Sequence, residues 1–217
     1  MKRILSLFLV IFMLCCASVA AESASPYGRV SKMSGEVMPY ESVSGLFSME
    51  IPSDYIALDS VVFQDITDAI NSMDADDFQS YYNLDYEAAS ALFSSIDPAL
   101  IAGCDFIVAP DLIGNMNVIS TPDIGITQDA LAAFNDVFIP QLTAQYVSMG
   151  AAEESCISLG VVTYGNNDYI GFSVELVVGT PTYQYITANA NGDMITFSFG
   201  AFPEEVIATI LESVTIY

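Results

Sequence analysis

Ser155-Cys-Ile-Ser-Leu-Gly-Val-Val-Thr-Tyr164, then Gly165-Asn-Asn167, then Asp168-Tyr-Ile-Gly-Phe-Ser-Val-Glu-Leu-Val-Val178 is the stretch on which the reading of the fold turns. Two runs rich in β-branched and aromatic residues flank a Gly-Asn-Asn turn, the pattern of a β-hairpin. In the second run Ile170, Phe172, Val174, Leu176 and Val178 alternate with Tyr169, Gly171, Ser173, Glu175 and Val177. Period-two alternation puts the first set on one strongly apolar face of a strand. Gly179-Thr-Pro-Thr182 reads as a turn into a third strand, Tyr183 to Ala190. Asn191-Gly192 is the dipeptide favoured in a two-residue hairpin turn. Asp193 to Phe199 is the fourth strand, with Ile195, Phe197 and Phe199 on one face. The segment therefore predicts a four-strand antiparallel meander.

After the meander, Pro203 occupies the first position of a closing helix, and Glu204 and Glu205 complement the positive end of its dipole. Val206, Ile207, Ile210 and Leu211 form its apolar stripe, and Val214 to Tyr217 reads as a short last strand. Upstream, Gly45 to Pro52 alternates apolar and polar residues and ends at Pro52. Asp54 to Leu58 continues it after a turn. Val61 to Met73 repeats apolar residues at three and four residue steps behind Ser60 as cap, which is helical spacing. A second helix spans Tyr86 to Ser95, capped by Asp85 and closed by Asp97-Pro98. Cys104 to Ala109 and Asn115 to Ser120 are short strands around a turn at Asp111 to Gly114. The longest helix runs from a Thr127 cap to Ser148, with a kink expected at Pro140. The fold class expected is α+β, an antiparallel sheet with helices packed on it.

The charge pattern excludes most chemistry. The chain has 27 acidic residues, no histidine and four basic residues, Lys2, Arg3, Arg29 and Lys32. From Met33 onward there is no imidazole for proton transfer or metal ligation, no amine for a Schiff base and no guanidinium to clamp an anion. Nucleic acid is excluded as a partner, because nothing could displace its counterions. A cationic partner or bound cations would relieve the self-repulsion.

Lys2 and Arg3, the apolar run Ile4 to Leu14 and the small residues Ala17 to Ala21 form a secretory signal, with cleavage after Ala20 or Ala21. Residues 1–21 are then removed, residues 22–34 are a flexible leader, and residues 35–217 form one α+β domain. Two cations against 27 acids leave that mature chain at a formal −25. The residues ahead of Cys15 and Cys16 fit a lipidation site poorly, so membrane attachment is expected only through an uncleaved signal or such an anchor. Cys104 and Cys156 remain, and export makes a disulfide between them possible, although spacing alone leaves its geometry open. Neither has a base nearby in sequence to make it a nucleophile.

Among the carboxylates, Asp65, Asp68, Glu175 and Glu204 are candidates for a glycosidase-like acid pair, but no spacing marks two of them as partners. Asp74, Asp76 and Asp77 are the densest acidic cluster and the candidate calcium site. The loop fails the EF-hand pattern at its turn glycine and at its last ligand, and a solvated helix connection with Asp caps is the expected role. No cofactor, catalytic residue or metal ligand is assigned. Tyr81, Tyr82, Tyr86, Tyr164, Tyr169, Tyr183 and Tyr185 read either as a partner-binding face or as the outer core of a covered sheet face.

Gly45-Leu-Phe-Ser-Met-Glu-Ile-Pro-Ser-Asp-Tyr55, Met194-Ile-Thr-Phe-Ser-Phe199 and Ile207 to Ile216, in this order around a meander, resemble the PsbP-like group, named after an extrinsic subunit of photosystem II. The resemblance covers the ends and the meander, and residues 61–150 lie outside it. It implies an α+β sandwich and a noncatalytic binding or assembly role outside the cytoplasm, with an unknown protein or small-molecule partner. It carries over no site residues and no photosynthetic role. The alternatives are a carboxylate-dependent hydrolase and a calcium-stabilised surface protein.

Overall fold

The computed structural model describes residues 36–177 and 180–217. The signal sequence, its cleavage point, Cys15, Cys16, the leader, Val178 and Gly179 fall outside them. Two antiparallel sheets form: β1 (Val37–Glu41), β2 (Phe47–Pro52) and β10 (Thr215–Ile216) in the order β1-β2-β10, and a larger seven-stranded sheet. The larger sheet contains β3 (Ile56–Leu58), β4 (Asp105–Val108), β5 (Asn115–Thr121), β6 (Cys156–Tyr164), β7 (Asn167–Val177), β8 (Thr180–Ala188) and β9 (Met194–Gly200). Its order is β3-β4-β5-β9-β8-β7-β6. The expected meander is the β9-β8-β7-β6 half of it.

Side-chain alternation sends neighbouring residues to two different cores. Phe106, Val108, Ile119, Ile170, Phe172 and Ile186 pack with the helices α1 (Ser60–Ser72), α2 (Ala75–Tyr82), α3 (Tyr86–Ser95), α4 (Pro98–Ile101) and α5 (Leu131–Ser148). Ile107, Val118, Tyr169, Tyr185, Ile195 and Phe197 pack with β2 and with α6 (Glu204–Ser213). The central strands are thus buried on both faces. Among the described residues no helix is long and apolar enough to cross a membrane.

Several local expectations are corrected. The cap of α1 is Asp59, whose Oδ1 accepts from the amides of Val61 at 2.8 Å and Val62 at 2.7 Å; Ser60 is already helical. Asp59 has the extended backbone of a cap, φ −95° and ψ 176°, and its side chain reaches both free amides of the first turn. Thr127 makes no side-chain cap bond, because a short 3-10 turn, Gln128–Ala130, precedes α5. Gln128 instead donates to Thr187 Oγ1 and the Ala188 carbonyl and accepts from the Asp168 amide, tying that turn to the sheet. The assigned helix continues through Pro140. Thr180 to Thr182 belong to β8 rather than to a turn. Asn191-Gly192 is not a two-residue hairpin turn: Asn189 Oδ1 accepts from the amides of Asn191 at 3.0 Å and Asp193 at 2.9 Å, which closes a longer loop. Pro203 caps α6 from outside. β1 and α2 were not expected. β1 contains Pro39, which a strand tolerates only at an edge, and β1 is one.

Cys104 and Cys156 are not joined by a disulfide. Cys104 precedes β4 and Cys156 opens β6, and the strand order puts five spacings between those strands. At about 4.8 Å each that is roughly 24 Å across the sheet, far beyond the ~7 Å that a disulfide spans.

The β6–β7 turn rests on the end of α6. Gly165 has φ +56°, and a Cβ there would collide with the Glu212 carbonyl oxygen. Asn167 Nδ2 donates to the Val214 carbonyl at 2.8 Å in the same contact. Gly165→Ala therefore adds a clash to the strain of a left-handed residue and is expected to destabilise by about 2–3 kcal/mol. Gly45→Ala, also at positive φ (+69°) but in open space, is expected to lose only about 1 kcal/mol. Urea unfolding of the two variants checks this, and equal midpoints would remove the docking contact from the account.

Candidate functional site

The acidic residues singled out in the sequence are dispersed. Asp74 is the cap of α2 and its Oδ1 accepts from the Asp77 amide at 2.9 Å; Asp76 and Asp77 lie exposed in the first turn. That is the helix connection with an Asp cap, and the acids sit against the positive end of the dipole. Among the described residues no group of three or more His, Cys, Asp or Glu is arranged to hold a metal ion. Asp65 accepts from the Tyr82 hydroxyl at 3.2 Å, and Asp68 from Gln64 Nε2 at 2.8 Å, both on the exposed face of α1. Glu175 lies on β7, and Glu204 starts α6 and accepts from the Tyr183 hydroxyl at 2.7 Å. The sheet separates Asp65 and Asp68 on α1 from Glu204, so neither faces it as glycoside hydrolysis requires of a pair.

One acid the sequence reading passed over is buried. Asp105 opens the apolar strand β4 and is 3% exposed. A charged residue at the head of a core strand was the available signal. Its Oδ1 accepts from the Tyr40 hydroxyl and from the Val43 amide, each at 2.7 Å, so it pins the β1–β2 hairpin to the larger sheet. Burial pushes its carboxyl up, and these hydrogen bonds pull it partly back. Beside it lies a partly open cleft of about 210 Å³ lined by Val43, Ser44, Cys104, Asp105, Val118 and Ser120. Ser44 Oγ and Ser120 Oγ meet at 3.2 Å across it. Burial, with Asp105 next to it, pushes the Cys104 thiol up to about 12, and burial and Asp105 also push up the Tyr40 phenol. Neither group exchanges a proton near neutrality. The Asp105 carboxylate at the cleft is bonded to Tyr40 and Val43, and these bonds attach the hairpin to the larger sheet.

The tyrosines divide. Tyr169, Tyr183 and Tyr185 are buried and Tyr164 is partly covered, all packed in the core beneath α6 and the small sheet. They are the outer core of a covered face, although the cover is one helix and a three-stranded sheet rather than the main helical layer. Tyr82 and Tyr86 contact Phe78 within the helical layer, and Tyr81 is 73% exposed.

The exposed feature that stands out is an edge. Among the described residues β6 has a strand neighbour on one side only. It runs nine residues, Cys156–Tyr164, with no charge and no proline. Ile157, Leu159 and Val161 are between 37% and 52% exposed. The other end of the sheet, β3, is three residues long and lies between Asp54 and Asp59, and the edge strand β1 carries Pro39 and Glu41. Short length, charge and proline are the usual guards of an edge. β6 has one guard, a bulge between Ser158 and Gly160, where Gly160 takes φ +72°. Leu159 of that bulge lies over Gly171.

The buried carboxylate has a pH signature. Its folded-state pKa is raised above the ordinary 3.8. Folding therefore favours the protonated form, and the stability this group contributes is present below the unfolded value and lost as pH rises through the folded one. Asp105→Asn keeps the acceptor oxygen and removes the charge. Its melting temperature minus that of the unsubstituted chain is expected to increase as pH rises from about 3 to about 7. A constant difference across that range would show that burial does not dominate at Asp105.

Comparison with known proteins finds no matching family model and no matching curated protein. Several solved structures are similar, two of them as follows. One is a crystal structure from Bacteroides thetaiotaomicron VPI-5482, 13% identical, with TM-score 0.41, covering 82% of this chain and 48% of the other, so that this chain spans about half its length. The other is the solution structure of cyanobacterial PsbP (CyanoP) from Synechocystis sp. PCC 6803, 13% identical, with TM-score 0.46, covering 89% of this chain and 99% of that one.

Proposed function

We propose that the chain is an exported, noncatalytic binding or assembly protein that takes up a partner by strand addition along β6. The observation that carries this is an edge guarded by a bulge alone: nine uncharged residues with half-exposed apolar side chains, in a chain of 27 acids. An extended segment added there gains main-chain hydrogen bonds for affinity, and alternate side chains give selectivity. The ends of the edge are acidic, with Glu153 and Glu154 before it and Asp168 across its hairpin turn. No cation follows Lys32 to balance them. The complementary partner is an extended segment with alternating apolar residues and Lys or Arg at its ends. Export rests on the charged start, apolar run and small-residue stretch of residues 1–21.

A synthetic Val-Thr alternating nonapeptide flanked by lysines is the direct probe. It is expected to slow amide exchange along β6 while leaving β3 and β1 unchanged. The double variant Ile157→Lys, Val161→Lys is expected to bind it at least about tenfold more weakly, since each close like charge is worth about 1 kcal/mol or more. Both side chains are exposed, and an unchanged melting temperature verifies the fold. Exchange protection elsewhere, or equal binding by the variant, removes β6 as the partner site. Sedimentation of the unsubstituted chain alone shows whether the edge instead pairs two copies.

A further inference from the structure

The cleft beside Asp105 combines open space with a buried charge that no cation offsets. Register pairs Asp105 on β4 with Val118 on β5, and Val118 packs on the face of the large sheet that looks toward the small one. Ser120 follows two residues along β5 and so shares that face. Diagonal neighbours such as Asp105 and Ser120 stand about 7–8 Å apart across a strand pair. The β1–β2 turn brings Val43 and Ser44 to this gap: the Val43 amide donates to Asp105, and Ser44 Oγ meets Ser120 Oγ. Ala102 and Gly103 complete the wall, and Gly103 has no side chain to fill the space. The volume of about 210 Å³ is below the roughly 300–1,000 Å³ of pockets for drug-sized ligands, so the space suits a smaller group.

The acceptors are only partly used. Asp105 is 3% exposed, and both bonds it receives from other residues, from the Tyr40 hydroxyl and the Val43 amide, fall on Oδ1. That leaves Oδ2 for the cleft, which Asp105 lines. Ser120 Oγ has Ser44 Oγ as its partner, and a hydroxyl has two lone pairs, so at least one is left over.

We propose that this cleft binds a primary ammonium group carried on an unbranched alkyl stem. An ammonium has three N–H donors. Asp105 Oδ2 and Ser120 Oγ take two of them across the gap, and Ser44 Oγ or water at the open mouth takes the third. Val43 and Val118 offer apolar surface to the stem, as such stems lie along apolar groups while the head keeps its charge. The excess of 27 acids over four basic residues draws cations to the surface. Other ligand classes fit less well. An anion would meet the carboxylate with no cation beside it. A guanidinium fork wants both carboxylate oxygens, and Oδ1 already holds the hairpin. Calcium takes about six to eight oxygens, and no group of three or more acidic, His or Cys side chains is arranged to hold a metal among the described residues. A quaternary ammonium wants aromatic walls, and no aromatic residue lines the cleft. Strands β9, β8 and β7 separate β5 from the β6 edge, so this site and the edge are tested independently.

A free alkylamine and a partner's lysine side chain carry the same group, and the test separates them. Amide chemical shifts are followed while n-butylammonium or Nα-acetyl-lysine amide is added, with tetramethylammonium at equal concentration as the control for diffuse screening of the net charge. The amides of Ser44, Gly103 and Ser120 are expected to shift saturably with n-butylammonium and little with tetramethylammonium, while those of β6 stay in place. Saturation by both probes supports a partner's lysine as the ligand, and saturation by n-butylammonium alone supports a free amine. Asp105→Asn, which removes the charge, and Ser120→Leu, which fills the gap, are each expected to weaken binding at least about tenfold. Shifts that are equal for n-butylammonium and tetramethylammonium, or absent, overturn the proposal on the unsubstituted chain alone, whether or not the variants fold. Undiminished binding by both folded variants overturns it as well.

Discussion

Every carboxylate in the described structure has to be accommodated without an ammonium or guanidinium group, because no lysine, arginine or histidine follows Lys32. The acids are therefore placed where neutral donors can reach them. Asp59, Asp74, Asp85 and Asp97 accept backbone amides at helix starts, and Asp111 accepts two amides of the β4–β5 turn. Asp65, Asp105, Asp168 and Glu204 accept from the hydroxyls of Tyr82, Tyr40, Thr163 and Tyr183. Such bonds hold the acids locally, and they leave the net repulsion in place. Cohesion then rests on apolar burial and strand ladders, and the two-sided sheet supplies both.

The two faces meet this demand differently. Beneath α6 and the small sheet, Tyr164, Tyr169, Tyr185, Phe197, Phe199, Phe202 and Tyr55 form a chain of edge-on ring contacts with centroids 5.6 to 6.3 Å apart. Offset and edge-to-face pairs are the favoured ring geometries, and this face is closed. The helix-side face has aromatic ends and an amide middle.

Much of the architecture was legible because periodicity is a local property. The meander, the helices around Val61–Met73 and Tyr86–Ser95, and the closing helix and strand all announce themselves by spacing. What escaped depends on tertiary neighbours. β1 is held by pairing with β2 and by Asp105, and neither is visible near Pro39 in sequence. The loop at Asn189 differs from a two-residue turn because one side-chain oxygen collects two amides. The improbability of a Cys104–Cys156 bridge is a consequence of strand order, in which β9 inserts beside β5 and drives β6 to the far edge. The alignment of Asn117, Ser198 and Gln184 across the sheet was illegible for the same reason: they come from three separate strands, and each alone reads as an ordinary polar residue.

Strand order also decides which surface is left to meet other molecules. With β9 inserted beside β5, the meander grows outward from the centre and its first strand becomes the terminus of the sheet. β6 could have been guarded by an acid, as nearly everything else in this chain is, yet between Glu154 and Asp168 there is none. The bulge at Ser158–Gly160 raises the local twist and interrupts pairing in register, which discourages two flat copies from zipping together. It leaves Val161 to Tyr164 regular up to the Gly165 turn. An edge with a regular, uncharged half and a twisted half disfavours indiscriminate stacking and still admits a short extended segment, and acidic residues at both ends favour a segment that brings its own positive charge.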